Sequence, residues 1–305
     1  LPTLFRRSAL RKNSCASNYP PKGGFYIEVK MSERVLIQGR SYSFHDQAAA
    51  LLGIPKGQRE SVKTHNMLYD TLHDRENGRA VAAFFNTTKG RIGGSYERIM
   101  AGDAQIVGRA DLGIVLPLYG MPHAQFEDIR FIHTQSHAMD QAIRTVSRDF
   151  AHTRWVSEED TATSAFTVRE LRSSKHAAIT PHPAGKAAGL VCLVDAMQDN
   201  RTKNVTSFYE LGKGENGVVP VDATVTVAAL HRIGGEQQSS GQLQIQAEIG
   251  AISLLHVSEA KSWSLIVEMN SEGEHAQAIE GAEIALRGLY NVTYLGGYAP
   301  LSLAA

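Results

Sequence analysis

Asn204, Val205, Thr206 and Ser207 form a short polar run that leads directly into Phe208, Tyr209 and Leu211, within KNVTSFYELG at 203–212. A threonine at such a junction either starts a strand, as β-branched residues do, or holds a hydroxyl at the mouth of a cleft to do chemistry. Other hydroxyls stand at comparable junctions. Thr87 and Thr88 follow Asn86 in FNTTKG, which ends at Gly90; Ser43 precedes FHDQAAALL; Thr161 lies within DTATSA. Ser and Thr supply helix caps and turns, and a helix N-terminus that needs a cap also attracts a carboxylate. Asn86 reads as a residue that shapes a turn. Gly39 and Gly90 either turn the chain or admit close backbone approach. His45 and His137 lie near two of these segments and are given no catalytic role, since such histidines are more often surface or satisfied core residues.

Strand-to-helix steps must position these hydroxyls. RVLIQG (34–39) is an apolar run ending in Gly and reads as a buried strand, followed by a helix capped by Ser43 and stopped by Gly53. AVAAFFN (80–86) and DIRFIHT (128–134) read as further strands, and SHAMDQAIRTVSRDF as a helix. TRWVSEED with TATSAFTVREL, and HAAITP with HPAGKAAGL, repeat the step. The repetition predicts an α/β domain with mostly parallel sheets, whose ligands bind beyond the carboxyl ends of the strands. GKGENGVVPVD (212–222) is Gly-rich and polar and reads as a linker. Beyond it, ATVTVAAL, ISLLHVSEAK, SWSLIVEMN and VTYLGGY read as strands, with helices over GQLQIQAEIG and EHAQAIEGAEIALRGL. That β-α-β-β-α-β order is ferredoxin-like. Trp155 and Trp263 read as strand residues packing a core.

A chain of 305 residues with 43% hydrophobic content has room for about two domains. Its 31 basic and 31 acidic residues balance, so nothing points to nucleic acid or to a charged membrane surface. Twelve histidines are scattered without an HExxH motif, and neither a metal nor another cofactor is expected. Cys15 and Cys192 form no disulfide framework, which fits a reducing, cytoplasmic setting. No apolar run approaches the ~20 residues of a membrane-spanning helix. Residues 1–30, carrying Arg6, Arg7, Arg11, Lys12 and Lys22, are expected to be a disordered basic tail or sequence upstream of a start at Met31, with a transit peptide as the second reading.

Taken in order, the junctions resemble the prephenate dehydratase family with its C-terminal ACT domain. The family opens with Gly-Pro-x-Gly-Ser/Thr-Phe-Ser-x-Gln-Ala-Ala. GRSYSFHDQAA is similar, keeping Gly39, Ser43, Phe44, Gln47, Ala48 and Ala49 while Arg40 and Tyr42 replace the proline and second glycine. FNTTKG resembles Glu-Asn-Ser-x-x-Gly, with Phe85 in place of the acid. DTATSA resembles Ser-Thr-Ala-x-Ala-Ala, and NVTSF resembles Asn-x-Thr-Arg-Phe, with Ser207 for the arginine. YLGGYAP is similar to the Leu-Gly-Ser-Tyr-Pro ending.

The resemblance implies a two-lobed dehydratase domain of periplasmic-binding-protein-like (type II) fold over 31–213, a linker over 214–222 and a ferredoxin-like, ACT-like domain over 223–305. It implies conversion of prephenate to phenylpyruvate in phenylalanine biosynthesis, with loss of carbon dioxide and the ring hydroxyl. Thr206 would donate a hydrogen bond to the departing oxygen. Ser43, Asn86, Thr87, Thr88, Gly90, Thr161, Asn204, Ser207 and Phe208 would surround the substrate, with Arg40 supplying the charge lost at Ser207. A homodimer or homotetramer is implied. The ACT signature is largely absent at Gly241, Gln242 and Leu243 and at SEAK (258–261), so phenylalanine feedback is expected to be weak or absent. Two alternatives stay open: a non-aromatising prephenate decarboxylase-like enzyme, and a non-catalytic small-molecule-binding regulatory protein.

Overall fold

The computed structural model describes residues 34–92, 94–200, 204–213, 225–232, 252–258, 264–270 and 290–299. The chain begins with β1 (Val35–Gln38), α1 (Phe44–Leu51), β2 (Arg59–Val62), α2 (His65–Asp74) and β3 (Arg79–Asn86). It continues through β4 (Gly90–Arg91), α3 (Ser95–Met100), β5 (Gln105–Gly113) and β6 (Leu118–Gly120). The second group of strand-to-helix steps comprises β7 (Phe131–Thr134), α4 (Ser136–Asp149), β8 (Arg154–Ser157), α5 (Thr161–Leu171), β9 (His176–Ile179) and α6 (His182–Ala187). Then come β10 (Val191–Val194) and β11 (Val205–Gly212), followed by β12 (Val225–Arg232), β13 (Ile252–Ser258), β14 (Ser264–Asn270) and β15 (Tyr290–Tyr298).

Local chemistry sets the helix ends. The Ser43 hydroxyl accepts the Asp46 N–H at 3.2 Å to cap α1, and Gly53 follows its end at φ +74°. Thr64 caps α2 by accepting from Met67 N, and Asp160 caps α5. The inward stripe of α4, Ala138, Met139, Ala142 and Thr145, has the spacing of an amphipathic helix.

Two sheets result. In the first the order is β13-β14-β12-β15-β5-β11-β3-β1-β2, with β4 added to β3; in the second it is β10-β6-β9-β7-β8. The expectation of mostly parallel sheets is corrected: both sheets are mixed. Parallel pairs occur where a helix connects the strands, as at β1 with β2 and β7 with β8. Within the two lobes the antiparallel pairs involve β5, β6, β10 and β11, the strands next to the crossings between lobes, together with the short β3–β4 hairpin. β11 lies antiparallel between β3 and β5, and β6 antiparallel between β9 and β10.

Two crossings, after β5 and before β11, join the lobes and are tied to each other. Ile114 N–H donates to Asn204 O at 2.7 Å, and Met197 N–H to Leu116 O at 2.7 Å. Each lobe has its own core: Leu36, Tyr69, Phe84 and Tyr209 in the first, Leu118, Ile129, Ile132 and Ile179 in the second.

The order β13-β14-β12-β15, antiparallel throughout, is that of the strands in a ferredoxin-like unit. The two helices and the linker expected there, apart from Gly212 and Lys213 of the linker stretch, lie outside the described residues. β15 meets β5 at Gly296 opposite Ile106; Gly296 has φ +130°, and a Cβ there would lie 2.1 Å from the Ile106 carbonyl oxygen. Only glycine fits that junction. Trp155 departs from its expected core position: it sits 47% exposed on the edge strand β8, its indole N–H donating to Thr134 O at 3.1 Å. Trp263 lies outside the described residues.

Candidate active site between the lobes

A cavity of ≈ 310 Å³ opens between the two lobes, within the range of small-molecule sites. Thr206 and Phe208 of β11 face it, as do Ser43 and Phe44 at the start of α1 and Thr161 at the start of α5. Helix N-termini therefore point into it from both lobes, α1 from the first and α4 and α5 from the second. Ile114, Leu116, Phe44 and Phe208 give it an apolar wall.

Thr206 is held by one neighbour. Asn86 Nδ2 donates to Thr206 Oγ1 at 2.9 Å and to Asn204 Oδ1 at 2.9 Å. The amide orientation is set by its oxygen, which accepts Thr88 N–H and Lys89 N–H, each at 2.9 Å. Thr206 is thus the acceptor toward Asn86, and among the described residues no hydrogen bond uses its own hydroxyl hydrogen. That hydrogen is left to donate into the cavity. Asn204 extends the network across the lobes, its amide donating to Gln141 Oε1 of α4 at 2.8 Å.

Ser207 alternates to the opposite face of β11, as strand geometry requires. Its hydroxyl donates to Asp111 Oδ1 at 2.6 Å, and Arg109 stands beside it at 3.3 Å. Phe85 is its direct partner across the strands, and Phe85 packs on the first-lobe core. The two positions where the family acid and arginine are replaced are therefore neighbours on one face, away from the cavity. Arg40 lies elsewhere too, its guanidinium 3.9 Å from the Phe166 ring centre. Thr87 accepts Val205 N–H at 3.0 Å, Thr88 is exposed, and Gly90 turns the β3–β4 hairpin at φ +79° with open space around it. Neither threonine, nor Gly90, Asn204, Ser207 or Arg40, is among the cavity-lining residues. Gly39 serves both of its expected roles: φ is +80°, and a Cβ would lie 3.2 Å from Asp160 Cγ.

Several lining residues are not among those that the motifs single out. Lys89 and Arg91 bring positive charge from the β3–β4 hairpin, with Lys89 Nζ donating to Asp140 O at 3.1 Å and Arg91 pairing with Glu97 at 3.2 Å. Gln135, His137 and Gln141 approach from α4, and the Asp160 carboxylate accepts Ala162 and Thr163 N–H at 2.8 Å each. His45 and His65 line the inner part. Lys89 and Asp160 lie inside the quoted motifs and were legible had charge been weighed with hydroxyls; His65 was not.

The two inner histidines have assignable tautomers. The Ser95 hydroxyl donates to Ala83 O at 2.8 Å, so its short contact with His65 Nε2 makes that nitrogen the donor; Nδ1, then an acceptor, lies 3.4 Å from the end of the Gln38 side chain, whose amide must turn its NH2 rather than its oxygen toward the ring. This excludes a serine–histidine nucleophile: Ser95 is fully buried and its proton is committed to a carbonyl. His45 Nε2 accepts Ala83 N–H at 3.3 Å, placing its proton on Nδ1. Burial, reinforced by His65, lowers the His45 pKa to about 3; burial, reinforced by His137, lowers that of His65 to about 4. Both are neutral at neutral pH. His133 and His137, four residues apart, do not pair, because His133 sits in β7 bonded to Glu158 and His176, each at 2.8 Å.

Among the described residues no group of three or more His, Cys, Asp and Glu side chains is arranged to hold a metal, and no helix is long and apolar enough to cross a membrane.

Residues 35–216 match the family model for prephenate dehydratase. The chloroplastic arogenate dehydratase/prephenate dehydratase 1 of Arabidopsis thaliana is 26% identical over 180 residues, 59% of this chain and 45% of that protein. The chain therefore spans less than half the length of the curated relative it matches. Among solved structures, a prephenate dehydratase from Staphylococcus aureus superposes with a TM-score of 0.68 at 16% identity, over 87% of this chain and 99% of that one. The quorum-quenching acylase GqqA superposes with a TM-score of 0.64 at 21% identity, over 88% of this chain and 98% of that one. At these identities the superpositions speak for the fold, which different activities share. The family match, spanning more than half of the residues, decides the assignment: this chain belongs to the prephenate dehydratase family.

Proposed function

We propose that the interlobe cavity converts prephenate to phenylpyruvate, eliminating carbon dioxide and water in a single aromatising step. The observation that carries this reading is the Thr206 hydroxyl, fixed as an acceptor by Asn86 at 2.9 Å and therefore presenting its proton to the cavity. Balanced, the dianion takes up one proton: the ring carboxylate leaves as carbon dioxide, its bonding electrons enter the ring, and the C–O electrons depart with the hydroxyl, which the proton completes as water. A threonine is too weak an acid to give up its proton outright. Its part is a hydrogen bond that strengthens as charge grows on the departing oxygen.

Lys89, Arg91, Ser43, Thr161 and the N-terminal N–H groups of α4 supply partners for the substrate's carboxylates. The apolar wall of Phe44, Ile114, Leu116 and Phe208 leaves the departing carboxylate poorly solvated, which favours its conversion to neutral carbon dioxide. The replacements at Phe85 and Ser207 leave this machinery intact, because the two positions face each other across the strands and away from the cavity. Neither Phe85 nor Ser207 is a cavity-lining residue.

The C-terminal strands we read as an ACT-like unit with weak or absent phenylalanine feedback, in a dimer or tetramer. Incubation with prephenate, followed by ultraviolet absorbance and mass spectrometry, tests the reaction. Phenylpyruvate supports it. A non-aromatic keto acid that keeps its hydroxyl, or unchanged prephenate, overturns it.

A further inference from the structure

Tyr42 holds an unusual conformation. Its φ of +74° is one of two positive values at non-glycine residues among those described, in a region where a bulky side chain is an outlier. The surroundings over-determine it. Tyr42 N–H donates to Asp46 Oδ2 at 2.7 Å, while Asp46 Oδ1 is paired with Arg59 at 2.8 Å. Arg59 in turn donates to Ile54 O at 2.9 Å. Backbone strain kept in place by such a network next to a site calls for a role.

The side chain shows one. Tyr42 belongs to the β1–α1 loop of the first lobe, yet it packs on the second-lobe core cluster containing Tyr119, Ala162, Ala165 and Val168. Its ring stacks on Phe166 of α5 with centres 6.4 Å apart and 25° between planes. Arg40, from the same loop, lays its guanidinium over Phe166 at 3.9 Å, and Lys56 places its ammonium 4.9 Å from the Tyr42 ring centre. Two cations and two rings so form one stack across the lobes, through aromatic and cation–π contacts. On either side stand cavity groups: Ser43 is the next residue after Tyr42, and Asp160 and Thr161 begin the helix that carries Phe166. Gly39, with Asp160 against it, closes the same seam. Both first-lobe loop residues in the stack, Arg40 and Tyr42, occupy positions where the family pattern has proline and glycine.

We propose that Tyr42 is a positioning residue: with Arg40, Phe166 and Lys56 it clasps the lobes together, holding Ser43 and Thr161 on opposite walls at a fixed separation. The clasp goes beyond the proposed reaction and does not depend on it.

Spin labels on the exposed positions Met67→Cys in α2 and Ile143→Cys in α4, in the full chain with Cys15→Ser and Cys192→Ser, report the interlobe distance by double electron–electron resonance. Diluted with excess unlabelled chain, so that each dimer or tetramer carries one labelled chain, the parent should give one narrow distribution without ligand. Tyr42→Gly suits the test because glycine adopts φ +74° freely, so the ring is deleted while the loop is kept. It should broaden or lengthen the distribution by more than about 2 Å, the scale of a genuine lobe rearrangement. Tyr42→Phe, which keeps the stack, should restore the parent distribution. Phe166→Leu serves as the second variant, judged by the same criterion if Tyr42→Gly does not accumulate folded. A parent distribution already broad, or a variant as narrow as the parent, overturns the clasp. No turnover is needed, so this result stands apart from that of the prephenate assay.

Discussion

Acidification from about pH 8 to about pH 5 is expected to destabilise the protein by several kcal/mol through His45 and His65. Folded, the rings have pKa values of about 3 and about 4, against 6.5 for an unperturbed imidazole. As the pH falls below 6.5 the unfolded chain takes up protons that the folded rings refuse, so the unfolded state binds more protons and stability rises with pH across this window. The contribution is complete above the unfolded value and is lost as pH falls toward the folded values. At about pH 5 an unfolded imidazole is almost wholly protonated and the folded rings almost wholly neutral, which costs ~2 kcal/mol for each ring and ~4 kcal/mol for the pair. Against a total stability of about 5–15 kcal/mol, that is a large share. Urea unfolding followed by far-ultraviolet circular dichroism at several pH values, extrapolated to water, measures it. His176, whose pKa is lowered by burial and then by His133, adds in the same direction. His45→Gln and His65→Gln therefore isolate the two rings, and each should remove roughly half of the pair's share. A parent protein that loses less than ~1 kcal/mol over this interval, or variants with the parent's full pH dependence, would refute the burial of two neutral imidazoles in the cavity wall.

Asn86→Ala removes the donor that orients Thr206 and leaves the Thr88 and Lys89 N–H groups without their acceptor. With ~1–3 kcal/mol at stake for such a buried partner, kcat/KM for prephenate should fall roughly ten- to hundredfold in steady-state assays; an unchanged value would detach Asn86 from the site. Gly296→Ala places a methyl group 2.1 Å from the Ile106 carbonyl oxygen, so the junction of β15 with β5 must open. Calorimetry should show a melting temperature lowered by several degrees, for a cost of about 1–3 kcal/mol, and an unaltered melt would contradict the packing.

Much of the fold was legible because helices announce themselves locally. Ser43 before FHDQAAALL and Asp160 with Thr161 before TSAFTVREL mark helix starts that the structure keeps, and the parallel pairs follow from the helices between their strands. The antiparallel strands β5, β6 and β10 were not legible. Their pairing is decided by partners as distant as Ser207 for Asp111 and Cys192 for Tyr119, and no local pattern encodes that. The same division runs through the site. Thr206, Ser43, Asn86, Thr161 and Phe208, taken from motifs, converge on one cavity. Ser207 and Arg40 do not, since strand alternation turns the first outward and Phe166 engages the second. His65 became visible only with its tertiary partners, Ser95 and Gln38, because nothing in SVKTHNML distinguishes it from a surface histidine.

The central claim is tested most directly by comparing prephenate turnover in Thr206→Val and Thr206→Ser. Valine keeps the shape and β-branching of the side chain and deletes the proton that Asn86 leaves available; serine keeps the proton. Phenylpyruvate formation should fall at least about a hundredfold in the valine variant, the usual loss when one donor to a developing oxyanion is removed, and persist within about tenfold in the serine variant. A valine variant that produces phenylpyruvate at the parent rate would contradict the account.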